Sequence, residues 1–232
     1  MQNLEETFFT SDNHFGHKVS VARPVSRAWG TNTRHQFQSV DDMNQGMIDA
    51  WNLMVPENGT IYVQGDFVYN GNHAENADWV IRTLSSTLQK LHGTKHLIVG
   101  NHDLPYTDES MTKVYEACGF ESVTHGTKTI ELAGKLIDMC HFPRWRGNEA
   151  RPEHYPESIT LDEWEQARWL LHGHKHSQVQ LDLPNKMIDI GVDAWSFRPV
   201  PARTILHMIT ASETLMDTIH QAGRTAPNSY TA

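Results

Sequence analysis

The sequence predicts an α/β fold layered around one mixed sheet or two stacked sheets. Three observations support this. Short β-like runs alternate with helix-period segments through the first half, the second half is dense in β-like runs, and no Pro- or Gly-rich linker divides the chain. A chain of 232 residues can bury a substantial core in one domain. Residues 1–221 read as that domain, and the polar stretch 222–232 (AGRTAPNSYTA) as a flexible tail.

The first β-like run is Glu6–Ser11 (ETFFTS), apolar at its centre. After Ser39 the period changes. Ser-x-x-Asp resembles a capping box, and Met43, Met47, Ile48, Trp51 and Met54 fall on one helical stripe. Thr60–Gln64 (TIYVQ) is a second β-like run. From about Glu75 to Leu91 a second helix places Trp79, Val80, Leu84, Leu88 and Leu91 inward. His96–Val99 (HLIV) is a third β-like run. A third helix starts near Thr107, groups Met111, Val114, Tyr115 and Cys118, and stops at Gly119, a residue suited to ending helices. Five β-like runs follow: Lys128–Leu132, Leu136–Cys140, Arg168–His172, Met187–Val192 and Thr204–Ile209. The Met and Trp stripes read as core, not as a cofactor-binding face.

Composition narrows the function. The formal net charge is −9 with histidine neutral, and a protein that tracks a long phosphate backbone usually carries a basic surface. That argues against an unaided DNA or RNA binder. A small phosphorylated substrate stays compatible, because two bound divalent cations would reverse the local sign. No apolar stretch of about 18 residues is present to span a membrane. The acidic start, MQNLEETFF, lacks the basic and apolar regions of a secretory signal. Cys118 and Cys140 are too few for a disulfide framework and suit a reducing cytoplasm, as small buried hydrophobes. A cytoplasmic location is expected. Fifteen histidines are an excess that makes metal-ligand spacing worth seeking.

Polar clusters fall at the ends of five β-like runs. They are Asp12-Asn13-His14, Gly65-Asp66, Gly100-Asn101-His102-Asp103, His141, and Gly173-His174-Lys175-His176. In an open α/β sheet, ligands bind beyond the carboxyl ends of strands, so five such junctions can meet at one edge. The i, i+2 spacing of Asp12/His14 and His174/His176 would turn each pair to one side of extended chain. Gly65, Gly100 and Gly173 each precede a candidate ligand, where close backbone approach favours glycine. Each piece alone has a plainer explanation. Gly-Asp is common turn chemistry, and a strand-end His is often a hydrogen-bonded core residue. Asn101-His102-Asp103 is the stronger signal, because it sets three polar groups where a core would prefer none. The donors are oxygen and imidazole without thiolate, which favours Mn²⁺, Fe, Zn²⁺, Co²⁺ or Ni²⁺ over a cysteine zinc site. Asp12, His14, Asp66, Asn101, His141, His174 and His176 are too many for one ion and suit two ions sharing a carboxylate.

The order of these motifs resembles the calcineurin-like metallophosphoesterase superfamily. The flanks TSDNHFGH, RPV, VQGDF, IVGNHD, CHFP, LLHGHKH and IGVDAWSFRP look like its small bacterial and phage phosphoesterase branch, from about Phe8 to Pro201. The resemblance implies a four-layered α/β/β/α sandwich of two mixed sheets. It implies that Asp12, His14 and His176 hold one divalent ion, that Asn101, His141 and His174 hold the other, and that Asp66 bridges them. His102 would protonate the leaving oxygen, oriented by Asp103. Two divalent ions, Mn²⁺ foremost, would be the cofactors, and phosphate esters would be hydrolysed by in-line attack of hydroxide held between them. Cys140 and Phe142 stand where Ser and Tyr are common, which changes shape beside a ligand but not the ligand count.

His17, Arg23, Arg144, Arg146, Trp195 and Arg198 are candidates to line a pocket for a phosphorylated group with a base or ring, Trp195 and Arg198 foremost. A nucleotide or cyclic nucleotide suits the acidic balance better than a long nucleic acid, and no insertion resembles the cap of the family's double-strand-break nucleases. Two other readings stay open. One is a non-catalytic scaffold on the same fold, a lineage that lacks the His of the Asn-His pair. The other is an all-helical phosphohydrolase with adjacent His-Asp, for which His102-Asp103, after a β-like run and before Pro105, stands in the wrong context.

Overall fold

A computed structural model describes residues 3–17, 34, 36–69, 76–144 and 168–225, with side chains to residue 221. The elements run β1 (Thr7–Thr10), α1 (Val40–Met54), β2 (Thr60–Val63), α2 (Ala77–Leu88), β3 (Thr94–Ile98), α3 (Leu104–Thr107), α4 (Thr112–Cys118) and β4 (Ser122–Thr124). There follow β5 (Lys128–Leu132), β6 (Lys135–Met139), β7 (Leu170–His172), β8 (Leu181–Asp182), β9 (Met187–Asp189), β10 (Val200–Pro201) and α5 (Ala202–Thr225). The strands build two five-stranded mixed sheets. In the first, ordered β10-β1-β2-β3-β4, the strands β1 to β4 are parallel and β10 pairs antiparallel at the edge. In the second, ordered β5-β6-β7-β9-β8, parallel β6-β7-β9 is flanked by two antiparallel pairs.

Alternation along the strands sorts the apolar residues into two cores. Phe8, Ile61, Val63 and Leu97 face α1 and α2. Phe9, Tyr62 and Ile98 face the other way, onto Ile130, Ile137, Met139, Leu171 and Ile188 of the second sheet. The first sheet is thus apolar on both faces, which is why its strands read as near-continuous apolar runs. Cys140, Phe142, Leu170 and Met187 form a small cluster on the far side of the second sheet. Helices therefore cover the first sheet, while the expected helical layer beyond the second is not seen among the described residues. Neither cysteine is in a disulfide, and no described helix is long and apolar enough to cross a membrane.

The α1 signal is real at the level of atoms. Ser39 Oγ accepts from Asp42 N at 3.0 Å, Asp42 Oδ2 accepts from Gln38 N at 2.9 Å, and Met43, Met47, Ile48 and Trp51 are buried. In α2, Val80, Leu84 and Leu88 turn inward, but Trp79 is 38% exposed and its indole lies over Gly16. The expected third helix is divided into α3, a 3₁₀ turn at Glu109–Met111, and α4, because extended Asp108 interrupts it and caps the turn from Ser110 N. Gly119, at φ 131°, ends α4 as anticipated. The clearest correction is Thr204–Ile209, read as a strand and found inside α5. Only Val200–Pro201 pairs with β1, and from Ala202 the buried residues Ile205, Ile209 and Ser212 recur at helical spacing. Helix α5 also runs to Thr225, into the segment read as tail, and residues 226–232 lie outside the described residues.

What positions the site is the seam between the sheets. Ser11 and Gly191 form a parallel bridge, with Val192 N donating to Ser11 O at 3.0 Å. The carboxyl ends of β1 and β9 are thereby brought together.

Candidate metal centre

Beyond β1 and β2 the chain keeps pairing. Asp12 N donates to Gly65 O (3.1 Å), His14 N to Asp66 O (2.9 Å) and Phe15 N to Phe67 O (2.9 Å). These segments are not extended. Asp12 (φ 56°), His14 (φ 47°), Asp66 (φ 55°), His174 (φ 71°) and His176 (φ 47°) all adopt left-handed backbone. The expectation that i, i+2 pairs converge by strand alternation is therefore corrected. They converge through tight turns that cost about 1–2 kcal/mol per non-glycine residue and persist only where surrounding structure imposes them. Two glycines make the packing of these turns feasible. A Cβ on Gly65 would lie 2.5 Å from Gly100 backbone and 2.7 Å from the His141 ring, and a Cβ on Gly100 would strike Asp66 Oδ1.

All seven expected ligands meet at this edge. His141 Nδ1 donates to Gln64 O at 2.8 Å, which turns Nε2 into the cluster. That nitrogen faces Asn101 Oδ1 at 3.0 Å, His174 Nδ1 at 3.3 Å and Asp66 Oδ2 at 3.5 Å, and His174 Nδ1 is itself 3.0 Å from Asn101 Oδ1. Asp66 Oδ2 is also 3.4 Å from His14 Nε2. On the other side, His176 Nδ1 donates to Asp193 Oδ2 at 3.0 Å and its Nε2 lies 3.8 Å from Asp12 Oδ1. Asp12, His14 and His176 offer atoms within 4.8 Å of one another, as do Asp12, Asp66 and His141. Asp12, His14 and His141 are fully buried and Asp66 is 1% exposed. Acceptor atoms and two carboxylates thus crowd one dry volume, which a shared proton or a cation must relieve. Oxygen and imidazole donors in this arrangement fit divalent ions.

The charges follow from the same crowding. Burial pushes the Asp12 carboxyl up. Burial would raise Asp66 too, yet His141 and then His14 hold it well below the usual carboxylate range. Burial drives His14 well below its ordinary value, so its imidazole is neutral and can offer a lone pair. Asp103 is pushed up to about 7 by burial and then by Asp66, and Asp189 to about 7 by burial and then by Asp12. These shifts set a sign for protein stripped by a chelator. Folded Asp103 and Asp189 keep protons that an unfolded carboxyl loses near pH 4, so their stabilisation fades as pH rises through about 7. His141, raised by Asp66 and Asp12 against the opposing effect of burial, acts in the same direction. Depressed His14, His17, His96 and His172 act oppositely, but their effect is largely complete above about pH 7. The melting temperature of stripped protein should therefore fall between about pH 7 and 8. A rising one in calorimetry would contradict the protonated state of those carboxyls.

His102 sits beside the cluster. Its N donates to Asp66 Oδ1 at 2.8 Å, and its half-buried ring lies 5.1 Å from His14's and 5.5 Å from Tyr69's. Asp103 does not orient that ring as expected. Its oxygens are taken up by Gly100 N (2.8 Å), Asp66 N (3.0 Å) and Phe67 N (3.2 Å), so it clamps the two ligand-bearing turns together. Of the pocket candidates, His17 is buried against Tyr69, with ring centroids 3.5 Å apart, and 5.8 Å from His14. Arg144 is turned to Asp138 and to Arg168 O, away from the ligands. Trp195 Nε1 donates to Asp189 O at 2.6 Å and packs against the inter-sheet core, and Arg198 is exposed beyond it. Arg23 and Arg146 lie outside the described residues.

Sequence reading missed Arg34 and Asp193. Arg34, 2% exposed, grips Asp193 with Nε to Oδ1 and Nη2 to Oδ2, both at 2.9 Å, and donates to Asp12 O (2.7 Å) and Asn13 O (2.9 Å). Burial would raise Asp193, but Arg34 above all, with His176, keeps it ionised. A signal for Asp193 existed: it follows β9 as the ligands follow the other strands. Arg34 has no such local mark.

No protein-family model matches the chain. Gene 66 protein of Mycobacterium phage L5 is 26% identical over 203 residues, which span 83% of this chain and 88% of that one. An archaeal phosphodiesterase superposes with a TM-score of 0.40 at 13% identity over 80% of this chain and 81% of that one, too loosely to carry roles across. The crystal structure of AQ665, a protein of unknown function from Aquifex aeolicus, superposes with a TM-score of 0.57 at 22% identity, covering 87% of this chain and 98% of that one. The chain shares the fold of the Aquifex protein.

Proposed function

We propose that this protein is a two-metal phosphoesterase of the calcineurin-like metallophosphoesterase superfamily, with that family's four-layered sandwich and a small phosphorylated substrate, a nucleotide foremost. The observation that carries the reading is Asp66 Oδ2, which lies 3.4 Å from His14 Nε2 and 3.5 Å from His141 Nε2, between two groups of donors. Asp12, His14 and His176 would hold one ion and Asn101, His141 and His174 the other, with Asp66 shared. Mn²⁺ suits this mixture of oxygen and imidazole. Bound there, a pair of divalent ions supplies charge neutralisation for phosphoryl oxygens and an acidified water. The chain's own groups do the rest. Neutral imidazoles present lone pairs, Asp103 fixes the turns, and His102, tied by its backbone to Asp66, offers a proton to the leaving oxygen. The acidic chain favours a compact anion met inside the pocket over an extended one met on the surface.

Purified protein should hydrolyse an activated aryl phosphate ester only with divalent metal, losing turnover on chelation and regaining it with Mn²⁺. Ions bound with no turnover on any phosphate ester would favour the scaffold reading instead.

A further inference from the structure

We infer that Asp193, anchored by Arg34, is a positioning residue for the ion position of Asp12, His14 and His176, which it holds in place before an ion binds; this rests on the two-ion reading above. The two halves of the centre are backed differently. His141 donates its Nδ1 proton to a neutral carbonyl, Gln64 O at 2.8 Å. His176 donates its Nδ1 proton to a carboxylate, Asp193 Oδ2 at 3.0 Å. A carboxylate partner fixes the tautomer more firmly and makes the far nitrogen a better donor. Arg34 offsets part of that negative charge, so orientation is the larger share of the effect. One guanidinium grips Asp193 through two bonds and also caps the carbonyls of Asp12 and Asn13. Through it the His176 ring and the left-handed turn at Asp12 are locked into one unit before any ion arrives. Less ordering remains to oppose binding at that position.

The test is a metal titration of stripped protein with Zn²⁺, read by calorimetry, together with imidazole ¹⁵N–¹H correlation spectra. Wild type should bind in two steps, with His176 carrying its proton on Nδ1. Asp193→Asn should weaken one step by about 10- to 100-fold, the range typical of such outer partners. The other step should stay within a few-fold, and His176 signals should move while those of His141 stay. If Asp193→Asn does not fold, Arg34→Lys takes its place. It keeps the charge and loses the fork, and should weaken the same step several-fold. Equal weakening of both steps, or of neither, overturns the inference while leaving the two-ion reading intact. A wild-type protein that binds no ion overturns both.

Discussion

His102→Ala should keep both ions bound and lower turnover by about 10²- to 10⁴-fold, the usual worth of a positioned proton donor. Its side chain supplies none of the converging ligand atoms. Its link to Asp66 is through the backbone N–H, 2.8 Å from Oδ1, which alanine retains. The ligand geometry should therefore survive while the proton source is lost. The fall should appear in kcat more than in KM, and should grow as the leaving group becomes less acidic. Metal content by elemental analysis, beside kinetics on a series of aryl and alkyl esters, checks both halves. Undiminished turnover, or ions lost with the ring, would remove His102 from its role.

Asp66→Asn should be more severe, leaving no measurable turnover and fewer than two ions per chain. Asp66 is 1% exposed and touches both donor groups. In the variant the amide oxygen would keep the His102 N–H, which turns the amide N–H₂ towards His14 Nε2 and His141 Nε2. That group would donate to the lone pairs and satisfy them without a cation. The variant should accordingly fold, with a single cooperative melting transition in chelator. Retention of two ions with parental kcat would show that this carboxylate is not shared.

Most of the site was legible because its residues sit directly after strands. Asp12, Asp66, Asn101, His141 and His174 could each be placed by a β-like run alone, and parallel strands then delivered them to one edge. What was not legible is the geometry beyond the strand. Left-handed backbone at Asp12, His14 and His176 leaves no mark in residue type, since these are not glycines. Arg34 and Asp193 meet across 159 positions, and no local pattern announces a buried pair of that span. In the fold, TILHMI was ambiguous because a short apolar run has no period of its own. Only the continuation through Ser212 and Met216 shows the helical spacing. Trp79 was misjudged for a different reason: it covers Gly16 in the ligand-bearing turn instead of entering the core.

The joint between Ser11 and Gly191 has a further consequence. Four donors, Asp12, His14, Asp66 and Asn101, follow strands of one sheet, and His141, His174 and His176 follow strands of the other. Any ion held among them acts as a rivet through both halves of the molecule. Loading at a hundredfold excess over Kd would add about 2.7 kcal/mol to the resistance of that joint. Scarcity of the ion would then shorten the protein's lifetime against proteases as well as silence it, and the supply of metal would govern abundance and activity together.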